Sequence, residues 1–357
     1  MEIYDAWQLR GKRFTTWRFS RDIMRELSEL RPDNLTGALY IVKDYLVILA
    51  CAYATIRISW WLYPLAVLII GAQQRGLTTI AHDAAHRTLA RSTGWNYVLG
   101  IVFAAYPVFQ RHWAYRYSHV HLHHPYLGDP ERDPDLKFFI SSGVYDVRPP
   151  REYAFAIVWK AMFGGATVRY LKYLWSERFL ISREGKKDID RRGAAIDTYG
   201  FAIFWLIVVF GFALTQSLDL LVLFWLVPYP YLTTFQALGW FIELAEHSPM
   251  CETETEDVYL TRNRKGNLIE RLLVGANLDE YHLEHHLSPG VPFWHLKRAQ
   301  KIRLRDPRYA EVAESWGGLF ASGPKGQPSV INQLLERNRR LYEAQRGRLA
   351  GEGVVNE

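Results

Sequence analysis

Twelve histidines occur in this 357-residue chain, and ten of them fall into four short stretches. AHDAAHR holds His82 and His86 four residues apart, so both imidazoles leave one face of a helix. YRYSHVHLHHPYLGDPERDPDL sets His119, His121, His123 and His124 ahead of Asp129, Asp133 and Asp135. NLDEYHLEHHLSPGVP places His282, His285 and His286 in a one, four, five pattern that converges on one helical face, and ELAEHSP adds His247. A lone histidine is more often a satisfied core or surface residue than a ligand, but repeated clustering at helical spacing asks for another cause. Imidazole suits Zn, Cu, Fe and Ni, whereas Ca and Mg demand oxygen. About nine such nitrogens exceed the four ligands of one zinc and suffice for two five- or six-coordinate irons.

Metal-bound histidine passes its other N–H to a carboxylate or carbonyl. Asp83, Glu246, Glu284, Asp129, Asp133 and Asp135 are candidates for that service, with helix capping or plain surface charge as the competing role. His112, in FQRHWAYR, reads as an interfacial residue, and His295 as a structural one.

The elements that must position these groups are apolar helices. Between Asp197 and Asp219 lie 21 uncharged residues, and between Asp219 and Glu243 another 23. Each is long enough to cross a bilayer, which takes about 20 apolar residues. They form one expected transmembrane hairpin (198–217 and 220–242), its second arm kinked at Pro228 and Pro230. A weaker hairpin is expected at 38–56 and 58–80, with Lys43, Asp44, Arg57 and Arg75 near its ends, where long side chains reach the interface. Residues 94–110 and 152–170 are too short or interrupted to cross and are expected to lie in the interface or cap the bundle. Lys and Arg favour one side: seven lie between Arg10 and Arg31 and nine between Arg262 and Arg305, whereas the outer turns carry only Arg57. Both termini are therefore expected in the cytoplasm, and every histidine cluster then reaches that same side. The expected organisation is an N-terminal segment 1–37, a membrane domain 38–300 and a peripheral, solvated tail 301–357.

Composition removes other classes. With 49% apolar and 22% charged residues the bulk of the chain is not disordered. Cys51 and Cys251 cannot build a disulfide framework or a Cys-x-x-Cys site, which fits a reducing setting. The net charge of +6 comes without a Lys/Arg run of nucleic-acid type, and no secretory signal opens the chain. A zinc hydrolase would want His-Glu-x-x-His, which is absent. A metal carrier would want charges inside its spans, and the two clearest spans have none.

HDAAH, HVHLHH with GDPERDPD, AEH after an apolar stretch, and NLDEYHLEHHLSPGVP resemble the histidine boxes of the membrane-bound fatty acid desaturase family over about residues 38 to 300. The resemblance implies an all-α integral membrane fold: four transmembrane helices in two hairpins beneath a cytoplasmic helical cap. It implies a non-haem di-iron centre that uses O2 to oxidise a C–H bond of a long acyl chain. Carried over residue by residue, the ligands would be His82 and His86, His123 and His124, His282, His285 and His286, and His247. The commonest second-box spacing would need histidine at Val120; His119 takes its place, sharing a helical face with His123, and His121 is the alternative. The expected substrate is an acyl-lipid or acyl-thioester that slides from the bilayer into an apolar slot walled by the final hairpin. A hydroxylase or ketolase of a lipid, alkane or carotenoid is the alternative activity. No His-Pro-Gly-Gly motif of a fused cytochrome b5 occurs, so electrons would come from a separate ferredoxin or cytochrome b5. The basic stretch Arg262–Arg305 is a landing patch for that donor or for anionic headgroups.

Overall fold

The computed structural model describes residues 17–181, 190–226 and 230–354, and among them the chain is helical with no strand. A short helix α1 (Arg21–Ser28) precedes α2 (Thr36–Arg57) and α3 (Tyr63–His86). These two form the first hairpin, with Arg57 at its turn as the sequence predicts. Helix α2 is about 33 Å long at 1.5 Å per residue. It turns Leu39, Val42, Leu46, Leu49 and Tyr53 outward. Helix α3 is instead the central post, with residues from Ala66 to Ala85 buried along most of its length. Glycines on it and on a neighbour allow close approach: a Cβ on Gly71 would fall 2.1 Å from Thr234 Oγ1, and one on Gly100, beyond the end of α3, would fall 2.0 Å from the Ala84 Cβ.

After α3 come α4 (Thr93–Tyr97, prolonged as a π-helix Val98–Ala105) and α5 (His112–Arg116, prolonged as a π-helix Tyr117–His123). Then follow α6 (Pro134–Ser141), α7 (Pro150–Ala154, continuing helically to Met162) and α8 (Thr167–Leu174, continuing to Phe179). Helix α9 (Arg191–Leu214) starts before the expected span, because the Asp190 carboxylate accepts from Arg192 N–H at 3.0 Å and caps it. Ile203, Leu206, Ile207, Phe210 and Leu214 form an exposed stripe along α9, the inverse of a water-soluble amphipathic helix.

Only α2 and α9 among the described residues are helices long and apolar enough to cross a membrane. The stretch expected at 220–242 is divided. Helix α10 (Leu218–Phe224) stops, and a π-helix Tyr231–Phe235 runs into α11 (Gln236–His247). Pro228, one of the two residues expected to kink it, lies outside the described residues. Pro230 stands at the head of the second piece, where a fixed φ and a missing N–H cost least.

The chain closes through α12 (Leu268–Val274), α13 (His282–Leu287), α14 (Leu296–Arg303), α15 (Pro307–Glu314) and α16 (Val330–Val354). This tail is more than the solvated appendage expected from its charges. Val330, Ile331 and Leu334 enter the main core. Buried Arg337 bonds to Glu252 and to the Tyr145 carbonyl at 2.9 Å, and Tyr309 and Val312 pack with Leu283 behind the third histidine box.

Candidate metal centre

Four separate segments deliver the histidines to one place. His82 and His86 occupy the last turns of α3, which is closed by Arg87 in the left-handed conformation (φ 66°). Asn96 holds the chain just beyond: its Oδ1 accepts from Leu89 N–H and its Nδ2 donates to the Ala84 carbonyl, both at 3.0 Å.

The second box is wound as a π-helix, with the His124 N–H donating to the His119 carbonyl at 3.0 Å. That wider winding brings residues five apart together, so His119, His123 and His124 all turn inward and are buried. The His119 and His124 Nε2 atoms are 3.1 Å apart. His121 stays on the exposed side, its ring beside Tyr117. Of the two sequence alternatives, the structure thus brings His119 into the cluster and leaves His121 out.

The third box arrives on α13 after a strained entry. Asn277 and Leu278 both adopt left-handed backbone conformations (φ 55° and 62°). The Asn277 side chain secures them, donating to Asp44 at 2.8 Å and to the Gly76 carbonyl at 2.9 Å while accepting from Lys43 at 2.6 Å. His285 Nε2 then lies 3.0 Å from His124 Nε2, and His282 Nε2 lies 3.0 Å from His286 Nε2 and 3.2 Å from His247 Nε2.

The nine side chains fall into two adjoining groups. Nitrogens of His82, His86, His119, His124 and His285 lie within 4.8 Å of one another, as do those of His123, His247 and His286; His282 joins this second group through His247. Burial, followed by repulsion from neighbouring imidazoles, pushes His86, His119, His124, His282, His285 and His286 well below their ordinary range. His247 is lowered the same way. All seven are therefore neutral, the form that binds metal. Protons cannot satisfy so many facing nitrogens, and the buried Nε2 atoms of His82 and His86 meet no hydrogen-bond partner among the described residues. Cations between the rings would satisfy them, so the donor set fits a pair of metal ions.

Carboxylates and carbonyls orient several rings from behind. His123 Nδ1 is 2.9 Å from Asp133 and 3.5 Å from Asp135; although burial opposes it, these two charges raise His123 to about 9. His247 Nδ1 meets the Leu260 carbonyl at 3.1 Å, and His282 Nδ1 is 3.5 Å from Glu246. Asp83 accepts from Phe293 N–H at 2.8 Å and lies 3.5 Å from His82 Nδ1. Two sequence candidates serve elsewhere: Asp129 caps its own turn at Glu131 N–H (2.9 Å), and Glu284 pairs with Arg303 and Asn263. His112 is buried rather than interfacial, held by burial at about 3, and His295 stands near Asp33; neither joins the cluster.

Sequence reasoning missed Arg178. Its buried guanidinium reaches Asp135 at 2.9 and 3.1 Å, Ser118 Oγ at 2.7 Å and the Tyr173 hydroxyl at 2.6 Å. Against burial, Arg178 and His123 hold Asp135 at about 2. No local motif marks a lone arginine 43 positions from its partner.

A family model described as fatty acid desaturase matches residues 58–316, a stretch that contains all nine histidines. The chain belongs to that family. It is accordingly an oxidoreductase. This desaturase-family chain is 68% identical over 343 residues to a dihydrorhizobitoxine desaturase of Bradyrhizobium elkanii, covering 96% of each chain. It is 25% identical over 324 residues to an sn-1 oleoyl-lipid 12-desaturase of Picosynechococcus (83% of each), and 22% identical over 343 residues to a delta(8)-fatty-acid desaturase of Helianthus annuus, with 83% of this chain and 71% of the relative covered.

The cavities depart from the expected apolar slot. The one that touches His82, His119, His282 and His285 is small, about 40 Å³, and its other walls include Arg75, Thr78, Thr79, Glu243 and Asp279. Burial, followed by the Asp279 charge, raises Glu246 at its edge to about 8, and burial outweighs Arg178 and Arg75 to raise Glu243. An apolar cavity of about 350 Å³ does exist, between Ile48 and Ile56 of α2, Phe212 of α9 and Phe224 of α10, but it shares no wall residue with the first.

Proposed function

We propose that this protein is an O2-dependent, di-iron desaturase that introduces a carbon–carbon double bond into a substrate of the dihydrorhizobitoxine type. The observation that carries the reading is the convergence of nine buried imidazoles as two adjoining groups. The 68% identity to a dihydrorhizobitoxine desaturase supports the choice of substrate over the acyl-lipids expected from the sequence. The polar wall beside the histidines supports the same choice.

His82, His86, His119, His124 and His285 would hold one iron, and His123, His247, His282 and His286 the other. Bound iron supplies the O2 activation that no side chain can perform. The chain's own contribution is placement. The imidazoles offer lone pairs at fixed angles, Asp133, Glu246 and the Leu260 carbonyl hold rings in one orientation, and burial excludes bulk water. Overall, two hydrogens leave the substrate and two electrons and two protons come from a donor, so that O2 becomes two waters.

The arrangement in lipid that we propose is four crossings, at about 38–56 (α2), 58–80 (most of α3), 198–217 (α9) and 220–242 (the divided α10–α11), with both termini and the metal centre on the cytoplasmic side of a membrane domain spanning about 38–300. Outward apolar stripes on α2 and α9 support it. For the separate electron donor, a ferredoxin or cytochrome b5, the basic patch is narrower than the sequence suggests. Arg262, Arg264 and Arg303 are buried in internal contacts and Lys265 is half-buried, which leaves Arg271 exposed on α12 and Lys297, Arg298, Lys301 and Arg305 exposed on and beside α14.

Incubating the iron-loaded enzyme with dihydrorhizobitoxine, O2 and reduced ferredoxin tests the reading. A product lighter by about 2 Da supports desaturation, whereas one heavier by about 16 Da would mark the hydroxylase alternative instead. An unchanged substrate beside a desaturated lipid would return the assignment to acyl chains.

A further inference from the structure

Five carboxylates line the cavity beside the histidines, those of Asp83, Asp135, Glu243, Glu246 and Asp279, against two guanidiniums, Arg75 and Arg178. Most of the acids are already matched. Asp83 takes the Phe293 N–H, Asp135 takes Arg178, and Asp279 pairs with Arg264 at 2.5 Å. Glu246 lies between His282 Nδ1 at 3.5 Å and Arg264 at 3.7 Å. Glu243 is the exception. One hydrogen bond joins it to Tyr170, but its buried Oε2 meets no partner among the described residues. The nearby cations Arg75 and Arg178 act on Glu243 through space but hydrogen-bond elsewhere: Arg178 to Asp135, and Arg75 to Thr78 Oγ1, with its Nη2 reaching Glu246 at 4.0 Å.

A buried carboxylate oxygen without a donor is costly, and an acyl chain drawn into this cavity would leave it so. An ammonium group supplies the missing donor, with a positive charge that adds to those of Arg75 and Arg178. The Nε atoms of Arg75 and of the buried Arg178 also lack acceptors among the described residues. They would suit an oxygen on the same molecule. We propose that Glu243 anchors an ammonium group of the substrate, so that the enzyme takes a polar, amine-bearing molecule and discriminates against fatty acyl chains. Describing that ligand as the substrate rests on the desaturase function proposed above. Selectivity follows from the geometry: a site built to pair with a polar group rejects an analogue that lacks it far more strongly than an apolar pocket rejects one methylene.

Calorimetric titration of the purified, metal-loaded enzyme with n-butylamine, butan-1-ol and butyrate tests the site without turnover. n-Butylamine is expected to bind at least ~tenfold more tightly than either other probe. Glu243→Gln is expected to lose that margin, and Glu243→Asp, which keeps the charge, to retain part of it. Equal binding of butanol or butyrate, no heat from n-butylamine at millimolar concentration, or a Glu243→Gln enzyme that still prefers the amine would overturn the proposal. Should Glu243→Gln fail to hold metal, the ranking of probes on the unaltered enzyme and the Glu243→Asp titration decide. Dihydrorhizobitoxine turnover is scored separately. Its failure beside an intact amine preference removes the proposed reaction, and the converse removes the ammonium site.

Discussion

His123 shows how much of the centre rests on single contacts. Asp133 holds its Nδ1 at 2.9 Å and accepts from Gly128 and Asp135 N–H groups as well, so one carboxylate fixes both the ring and the turn after the second box. Loss of such a partner typically costs about 10- to 100-fold in metal affinity. Asp133→Asn is accordingly expected to surrender iron to a chelator at roughly tenfold lower concentration or less, followed by absorbance of the chelate. The histidines also set the acid response of the metal-free protein. Seven are held below the ordinary value near 6.5, so the unfolded chain binds more protons below about that pH, and stability falls as the pH drops from 7 toward 5. His123 has the opposite sign, its contribution being complete below about 6.5 and lost as pH rises through about 9, and one such group does not offset seven. Thermal melts at pH 5, 6 and 7 should show midpoints rising with pH; a flat series would contradict the burial of neutral rings. The nine histidines that meet in the cluster were legible because their spacing is local. Arg178 was not, because only tertiary packing brings it to Asp135.

The second box owes its shape to helix winding. In an α-helix His119 and His123 share a face and His124 drifts off it, whereas the π-helix Tyr117–His123 admits all three. Sequence spacing points to His119 over His121 but does not encode the wider turn. The final apolar stretch reads as one 23-residue span because it carries no charge. The break between α10 and α11 is visible only once Pro230 is seen heading a new helix. At the third box, Asn277 opens the NLDEYHLEHH stretch, and its task becomes clear from its bonds to Lys43, Asp44 and Gly76, which tie the box to the first hairpin. Asn277→Ala removes these bonds while leaving two residues in left-handed backbone. It is expected to cost about 2–3 kcal/mol and to lower turnover more than binding, read from thermal melts and from kcat against KM. Asn277→Gly, which relieves the backbone but not the bonds, should recover only part of the stability.

Across the whole molecule, an exposed apolar surface on α2 and α9 sits apart from a polar, histidine-filled interior. The first hairpin follows from long apolar stretches and the all-helical class from the family resemblance, and the structure bears out both as helices. The role of α3 does not follow: a helix that reads as one arm of a transmembrane hairpin is the buried post for His82 and His86, because Gly71 and Gly100 let its neighbours close in. If α2 and α9 lie in lipid, the full-length protein should stay in the membrane pellet through washes with high salt and alkaline carbonate and leave it only with detergent; release by salt alone would contradict the proposed spans. Beneath all of this is the claim that imidazoles from four segments hold two irons side by side. The most direct test is the iron and zinc content per chain of the purified protein, measured by plasma mass spectrometry. The proposed di-iron function predicts two irons per chain, falling together in a His285→Ala variant; a single zinc with no iron would contradict it.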